Sequence, residues 1–147
     1  ILLYFTFKYY GLKRTVVLLL FIVLLIAASD QTSNLFKYGF KRLRPCHDEN
    51  IEPLIRLVKA RCGGLYSYFS AHASNAMAIA VFFSFLLKDK VKYLSYFLII
   101  WALFVAYSRI YIGVHFPLDV LTGAVIGAVY ATIFYKLFKL FDRKFMT

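Results

Sequence analysis

The chain has 147 residues, 62% of them hydrophobic and 20% aromatic, with a mean hydropathy of +0.70 and a formal net charge of +11. That apolar share excludes an ordinary soluble domain and places the chain in the membrane class, with a length that suits one domain over 1–147. The basic excess comes with no zinc or RNA-binding signature and no basic stripe on a polar helix, so it argues against nucleic acid and for lipid headgroups or a phosphate-bearing substrate.

Apolar segments follow one another as a partial one over 1–10 and fuller ones near 15–36, 71–87, 93–112 and 118–138. A span needs about 20 residues at about 1.5 Å rise each to cross a hydrocarbon core of roughly 30 Å. The 71–87 segment is somewhat short for this, and the others after residue 10 suffice. No alternating strand pattern is present, so each segment closes its backbone hydrogen bonds only as a helix. The expected fold is therefore all-α, a polytopic transmembrane helical bundle. The opening "ILLYFTF" reads as the end of a longer element, so a truncated N-terminal helix is expected. "KRTVVLLLFIVLLIAAS" imitates a signal peptide, but the equally apolar segments that follow favour a spanning helix.

One long polar region, about 37–69, separates the second and third segments. It holds two of the three prolines, both cysteines and the acids Asp48, Glu49 and Glu52. Within it, "IEPLIRLVKA" could lie as a short amphipathic helix at the interface. A disulfide between Cys46 and Cys62 would be allowed on an oxidising face and would tie this loop across its ends. "CHDE" with Cys62 fits no strong zinc template. If 11–14 faces the cytoplasm, ten basic residues fall inside and eight outside, a thin preference. Lys37, Lys41, Arg42, Arg44, Arg56, Lys59 and Arg61 strain the positive-inside rule and are read as serving something other than topology.

Alternation of the segments gathers residues 37–45, 70–72 and 109–119 at one membrane surface. Lys37 and Arg44 stand seven apart, two helical turns, and Pro45 disfavours helix at Arg44 itself. With Arg109 they make three cations that can converge on an anion, for which the guanidinium fork is suited. His72 opens the third segment, with Ser70 just before it. His115 precedes Pro117, which marks a first helical turn, and Asp119 falls four positions from His115. A carboxylate on one ring nitrogen fixes the tautomer and leaves the other as nucleophile or base. Two helix N-termini at the same place favour phosphate. Together these pieces point to phosphoryl transfer.

"KYGFKRLRP" (37–45) carries Lys-x6-Arg-Pro, "FSAH" (69–72) follows, and "SRIYIGVHFPLD" (108–119) carries Ser-Arg-x5-His-x3-Asp. In this order they resemble the three signatures of the type 2 phosphatidic-acid phosphatase superfamily of membrane lipid-phosphate phosphatases. The middle one departs from the family's Pro-Ser-Gly-His, with Phe69 and Ala71 in the Pro and Gly places, and Ala tolerates positive φ poorly. The resemblance implies that His115 attacks phosphorus to form a phosphohistidine, that Asp119 orients its ring, and that His72 protonates the leaving oxygen and then activates water. It implies that Lys37, Arg44, Arg109, Ser70 and the backbone at Ala71 bind the phosphoryl oxygens, with no metal and no cofactor.

Implied substrates are undecaprenyl diphosphate, towards which the compact, apparently bacterial chain leans, phosphatidylglycerophosphate, phosphatidate and the phosphates of lipid A. The site is then expected on the periplasmic or outer face of a bacterial inner membrane. Two rivals are a lipid phosphotransferase using the same phosphohistidine and a non-catalytic lipid-phosphate binder or transporter. Vanadate-dependent peroxidases share similar motifs, but their solubility conflicts with this composition.

Other features read as structural. Gly123 and Gly127, like Ala76 and Ala80, have the small-xxx-small spacing of close helix packing. Trp101 and the many Tyr and Phe read as packing and interface anchors. Asp30, an uncommon acid in an apolar setting, is expected to hydrogen-bond at a helix end.

Overall fold

A computed structural model describes residues 1–58 and 62–146. Four α-helices are present among them: α1 (Leu2–Phe40), α2 (Ala71–Leu87), α3 (Leu94–Tyr111) and α4 (Pro117–Phe145). By length and composition α1, α3 and α4 suffice to cross a membrane, whereas α2, at 17 residues, is shorter. The expected segments 71–87 and 93–112 agree with α2 and α3 to within a residue, and α4 runs seven residues past the expected end at 138.

The segments expected at 1–10 and 15–36 are joined in α1, but Gly11 interrupts the helical backbone with φ 76° and ψ 174°. That region of backbone space is open in practice only to glycine. Contacts show that the chain reverses there. Tyr10 donates to the Leu86 carbonyl at the far end of α2, while Leu2 reaches Ile79, halfway back along it. After Gly11 the chain runs the opposite way along α2, from Leu18 to Ser29 beside Ser74 and on to Ser33 at the Phe69 carbonyl.

The bundle is apolar on its outside and small inside. Leu20 and Val23 on α1, Phe97 and Phe104 on α3, and Leu121 and Val125 on α4 are exposed, as lipid contact requires. Ala73, Ala76, Ala80, Ala102 and Ala131 line the interior, where small residues let backbones approach. The tightest approach is between α2 and α4. A Cβ on Gly123 would lie 2.5 Å from the Ser70 carbonyl oxygen, and one on Gly127 would collide with the Ser74 carbonyl. Gly127→Ala is therefore expected to force the two backbones apart and cost about 1–3 kcal/mol, the usual scale of an overpacked core. A thermal melt in detergent reads this, and an unshifted midpoint would refute the contact.

Hydrogen bonds between helices supply the rest. Ser29 meets Ser74 at 2.7 Å, Thr32 meets Tyr130 at 2.7 Å, and Ser33 donates to the Phe69 carbonyl at 3.0 Å. Asp30 is not engaged at a helix end as expected; it accepts from Asn75 Nδ2 across the α1–α2 interface at 2.8 Å. Its place ten residues before the end of α1 puts it beyond reach of the terminal backbone groups. At the opposite end of the bundle Arg14 holds α4 through Asp142 at 2.7 Å and the Met146 carbonyl at 2.9 Å.

After α1, Lys41 adopts a left-handed cap, and Arg44 is extended before Pro45, as the steric demand of proline requires. Leu43 bridges Tyr66, and Ser67 N–H donates to the Arg42 carbonyl at 2.9 Å, so the loop returns beside its own start. Cys46 and Cys62 are paired as a disulfide, Cα atoms 6.0 Å apart. The amphipathic helix expected over "IEPLIRLVKA" is not formed in its described part. Only the 3-10 turn Glu52–Leu54 forms, opened by Pro53, and Ile55 is extended (the segment's end, 59–60, lies outside the described residues). Residues 55–57 instead pass over the turn between α3 and α4, where a Cβ on Gly113 would stand 3.3 Å from the Arg56 carbonyl oxygen.

Candidate active site

The starts of α2 and α4 are fastened to one another, and each carries a histidine. Ser70 N–H donates to the Asp119 carbonyl at 3.0 Å, in register with the close approach at Gly123. Pro117 stands in the first turn of α4, after Phe116 in the extended conformation. This leaves Asp119 as the third helical residue, where its Oδ2 accepts the Phe116 N–H at 2.9 Å, one arm of a capping box.

That cap turns Asp119 toward His115. Oδ2 lies 3.5 Å from His115 Nδ1, a pair in which both side chains are almost wholly buried. The distance is beyond an ordinary hydrogen bond, and Nδ1 has no other partner among the described residues. Catalytic hydrogen bonds commonly stand long in an empty site and shorten around the substrate. With Nδ1 on the carboxylate side, Nε2 is the nitrogen left for chemistry. Burial holds the His115 imidazole below its ordinary value of 6.5. The nearby Arg44 and Lys37 cations push the same way, against Asp119, so the ring is neutral at pH 7.

His115 opens onto a cavity of about 270 Å³. Lys37 from α1, Arg44 from the loop and Arg109 from the end of α3 reach it, together with His72 and Ala71 at the start of α2. Arg44 is held in place by backbone, donating from Nε to the Tyr66 carbonyl and from Nη1 to the Cys62 carbonyl, each at 3.3 Å. Gly63, at φ 91°, brings its backbone against the same guanidinium, where a Cβ would stand 3.5 Å from Nη1. Arg109 Nε donates to Ser108 at 3.0 Å.

Of the residues singled out from sequence, seven therefore meet: Lys37, Arg44, Ala71, His72, Arg109 and His115 at the cavity, and Asp119 behind His115. Ser70 is placed elsewhere. It is fully buried below the cavity and caps α2, its hydroxyl facing the Ala73 N–H at 3.5 Å. Ala71 is the first residue of α2 and not among the positive-φ positions, so the strain expected of Ala in a Gly place does not arise. Phe69 is fully buried against Phe36, ring centroids 5.3 Å apart.

Arg42 was not singled out from sequence, yet its Nη1 reaches Asp119 Oδ1 at 3.2 Å and its guanidinium covers the Phe116 ring at 4.1 Å. Along an extended stretch, residues two apart share a side. Arg42 and Arg44 thus both face the site while Leu43 faces out, a pattern legible only once α1 is known to end at Phe40.

The cavity thus brings together three cationic side chains and two imidazoles, the groups that phosphate chemistry uses. The comparisons with known proteins agree. A lipid A 4'-phosphatase of Bacteroides thetaiotaomicron is 35% identical over 136 residues, covering 91% of this chain and 60% of the relative. A lipid A 4'-phosphatase of Porphyromonas gingivalis is 32% identical over 139 residues, covering 92% and 57% respectively. An undecaprenyl-diphosphatase of Sulfolobus acidocaldarius is 38% identical over 92 residues, covering 63% of this chain and 41% of its own length. The chain thus spans about 60% of the length of the first two. No solved structure matches it. The profile of the PAP2 superfamily matches residues 3–143, and the chain belongs to that superfamily.

Proposed function

We propose that the chain is the phosphatase domain of an integral membrane enzyme that hydrolyses a phosphate ester or diphosphate on a lipid through a phosphohistidine. The observation that carries this reading is the cavity shared by Lys37, Arg44, Arg109, His72 and His115, with Asp119 buried behind the last. His115 Nε2 attacks phosphorus as the bond to the leaving oxygen breaks, and His72 gives that oxygen its proton. Water then attacks the phosphohistidine, His72 takes the water's proton, and the N–P bond breaks to free phosphate. The cations stabilise the charge on the equatorial oxygens throughout, which is most of what phosphoryl transfer asks of a protein. Ser70 contributes through the α2 N-terminus it caps.

Two relatives matched over nine tenths of this chain are lipid A 4'-phosphatases, whereas the undecaprenyl-diphosphatase match covers 63%. This moves the preferred substrate from a prenyl diphosphate to a phosphate on an acylated sugar. We infer that the site faces the periplasm. A disulfide at Cys46–Cys62 suits that compartment.

The test is phosphate release from a lipid panel in detergent with chelator present, followed across pH. Activity is expected to survive the chelator. A neutral His115 is required, and burial depresses its pKa, so the acid limb of kcat/KM should lie below about 6.5, where the ring protonates. The same sign holds for stability. Below about 6.5 the unfolded chain binds a proton that folded His115 resists, so stability falls as the pH drops through that range. Strict dependence on added metal, or an acid limb lying above pH 7, would defeat the reading.

A further inference from the structure

The phosphate cavity does not end at His72. A second cavity, of about 420 Å³, starts at the same two residues, Ala71 and His72, and runs down between α2 and α3. Ile79 closes it seven residues further along α2, a descent of roughly 10 Å. Its chemistry changes with depth. Asp30, Asn75, Ala76 and Val105 line the upper part, and Ile79 and Trp101 the floor, since α3 runs upward to Arg109 and Trp101 lies eight residues before it.

The polar pair is oriented. Asp30 Oδ1 accepts from Asn75 Nδ2, and since a carboxylate only accepts, the amide oxygen must turn the other way. That oxygen, Asn75 Oδ1, is buried and has no donor among the described residues. Asp30, held through Oδ1, keeps in the cavity wall a second carboxylate oxygen that no donor among the described residues fills. Such a place suits a neutral O–H or N–H donor and rejects an anion.

Its position follows from the reaction. His72 protonates the leaving oxygen, on the side of phosphorus away from His115, so the leaving alcohol must lie past His72. The cavity with His72 in its wall is that place.

We propose that this cavity is the leaving-group subsite and that it selects a hydroxylated ring, the sugar of an acylated sugar phosphate. The subsite rests on the phosphohistidine reading and extends it. Hydroxyl or amide N–H groups of the ring donate to Asp30, the ring lies between Ala76 and Val105, and acyl chains descend past Ile79 and Trp101. A prenyl diphosphate is disfavoured because its leaving group is a phosphate anion that would face Asp30. Phosphatidate leaves a diacylglycerol with no donor to offer.

The experiment compares kcat/KM for an acylated disaccharide monophosphate, a prenyl diphosphate and phosphatidate, with the purified chain in detergent. The variants are Asn75→Leu and Asp30→Asn, the second keeping the bond from Asn75 Nδ2 through its amide oxygen. Wild type should prefer the sugar phosphate, and Asn75→Leu, which lets Asp30 go, should lower that kcat/KM by about 10–100-fold, as loss of a specificity contact does. Phosphatidate hydrolysis should change by less than about threefold in it. Asp30→Asn should raise the prenyl diphosphate rate relative to the sugar phosphate. Equal losses on all three substrates in Asn75→Leu, or an unchanged order of preference in both variants, would overturn the subsite. Wild type that releases phosphate from phosphatidate but shows no sugar preference would overturn it alone. Release from none of the three would bring down the phosphatase reading itself.

Discussion

Replacing His115 with alanine is expected to lower phosphate release by about 10⁴-fold or more, the scale on which enzymes lose a covalent nucleophile. Nothing else in the cavity can take its place at phosphorus. In the proposed mechanism His72, in the same wall, serves the leaving side, and Lys37, Arg44 and Arg109 act as cations. The loss should fall on kcat, with the affinity for a phosphate-bearing lipid retained, because Lys37, Arg44 and Arg109 stay in place. A substrate labelled at phosphorus gives the decisive measurement. Wild type quenched in alkali should carry label as a phosphoramidate, stable to base and released by acid, and His115→Ala should carry none. Label found on His72, or full activity in the variant, would remove His115 from the nucleophile's role.

The second large effect is expected from Asp119→Asn, which keeps the volume and removes the charge. Catalysis should fall by about 10³-fold or more, as when a catalytic imidazole loses its carboxylate partner. Asp119 engages three groups at once: the Phe116 N–H, the Arg42 guanidinium and His115. An amide can retain the first through its oxygen but leaves Arg42 as an uncompensated cation beside the ring. With the counteracting carboxylate gone and a further positive charge near, the His115 pKa should drop further, so the acid limb of kcat/KM should move to lower pH. Arg42→Leu supplies the contrast, because it frees the carboxylate to act on His115 alone and should move that limb the other way. Limbs that shift in the same direction in both variants would refute the assignment of Asp119 as the group that sets the ring's charge.

The sequence made some of these parts legible because their causes are local. Pro117 dictates a helix start, Pro45 an extended Arg44, and four-residue spacing brings Asp119 back to His115. Gly123 and Gly127 announce a close helix contact, although not that its partner is the backbone at Ser70 and Ser74. What stayed hidden depends on the return of a distant segment. Arg42 is one basic residue among several until the Ser67 bonds to the 42–43 carbonyls fix its side. Asp30 looked like a helix-end acid because its partner lies 45 positions away, on another helix. The turnover at Gly11 was legible, because the break between the apolar segments 1–10 and 15–36 falls on the basic stretch 11–14.

The glycine contact between α2 and α4 has a mechanical consequence. His72 and His115 lie at the starts of two helices whose backbones touch, so their spacing is set by covalent geometry and one hydrogen bond instead of by adjustable side chains. A bilayer that thins or thickens tilts its spanning helices. Such tilting would carry both histidines as one body, whereas Lys37 is brought by α1, which packs on the pair less extensively. On the proposed mechanism, the bilayer's thickness would then alter how firmly phosphate is gripped and leave the distance of its transfer unchanged.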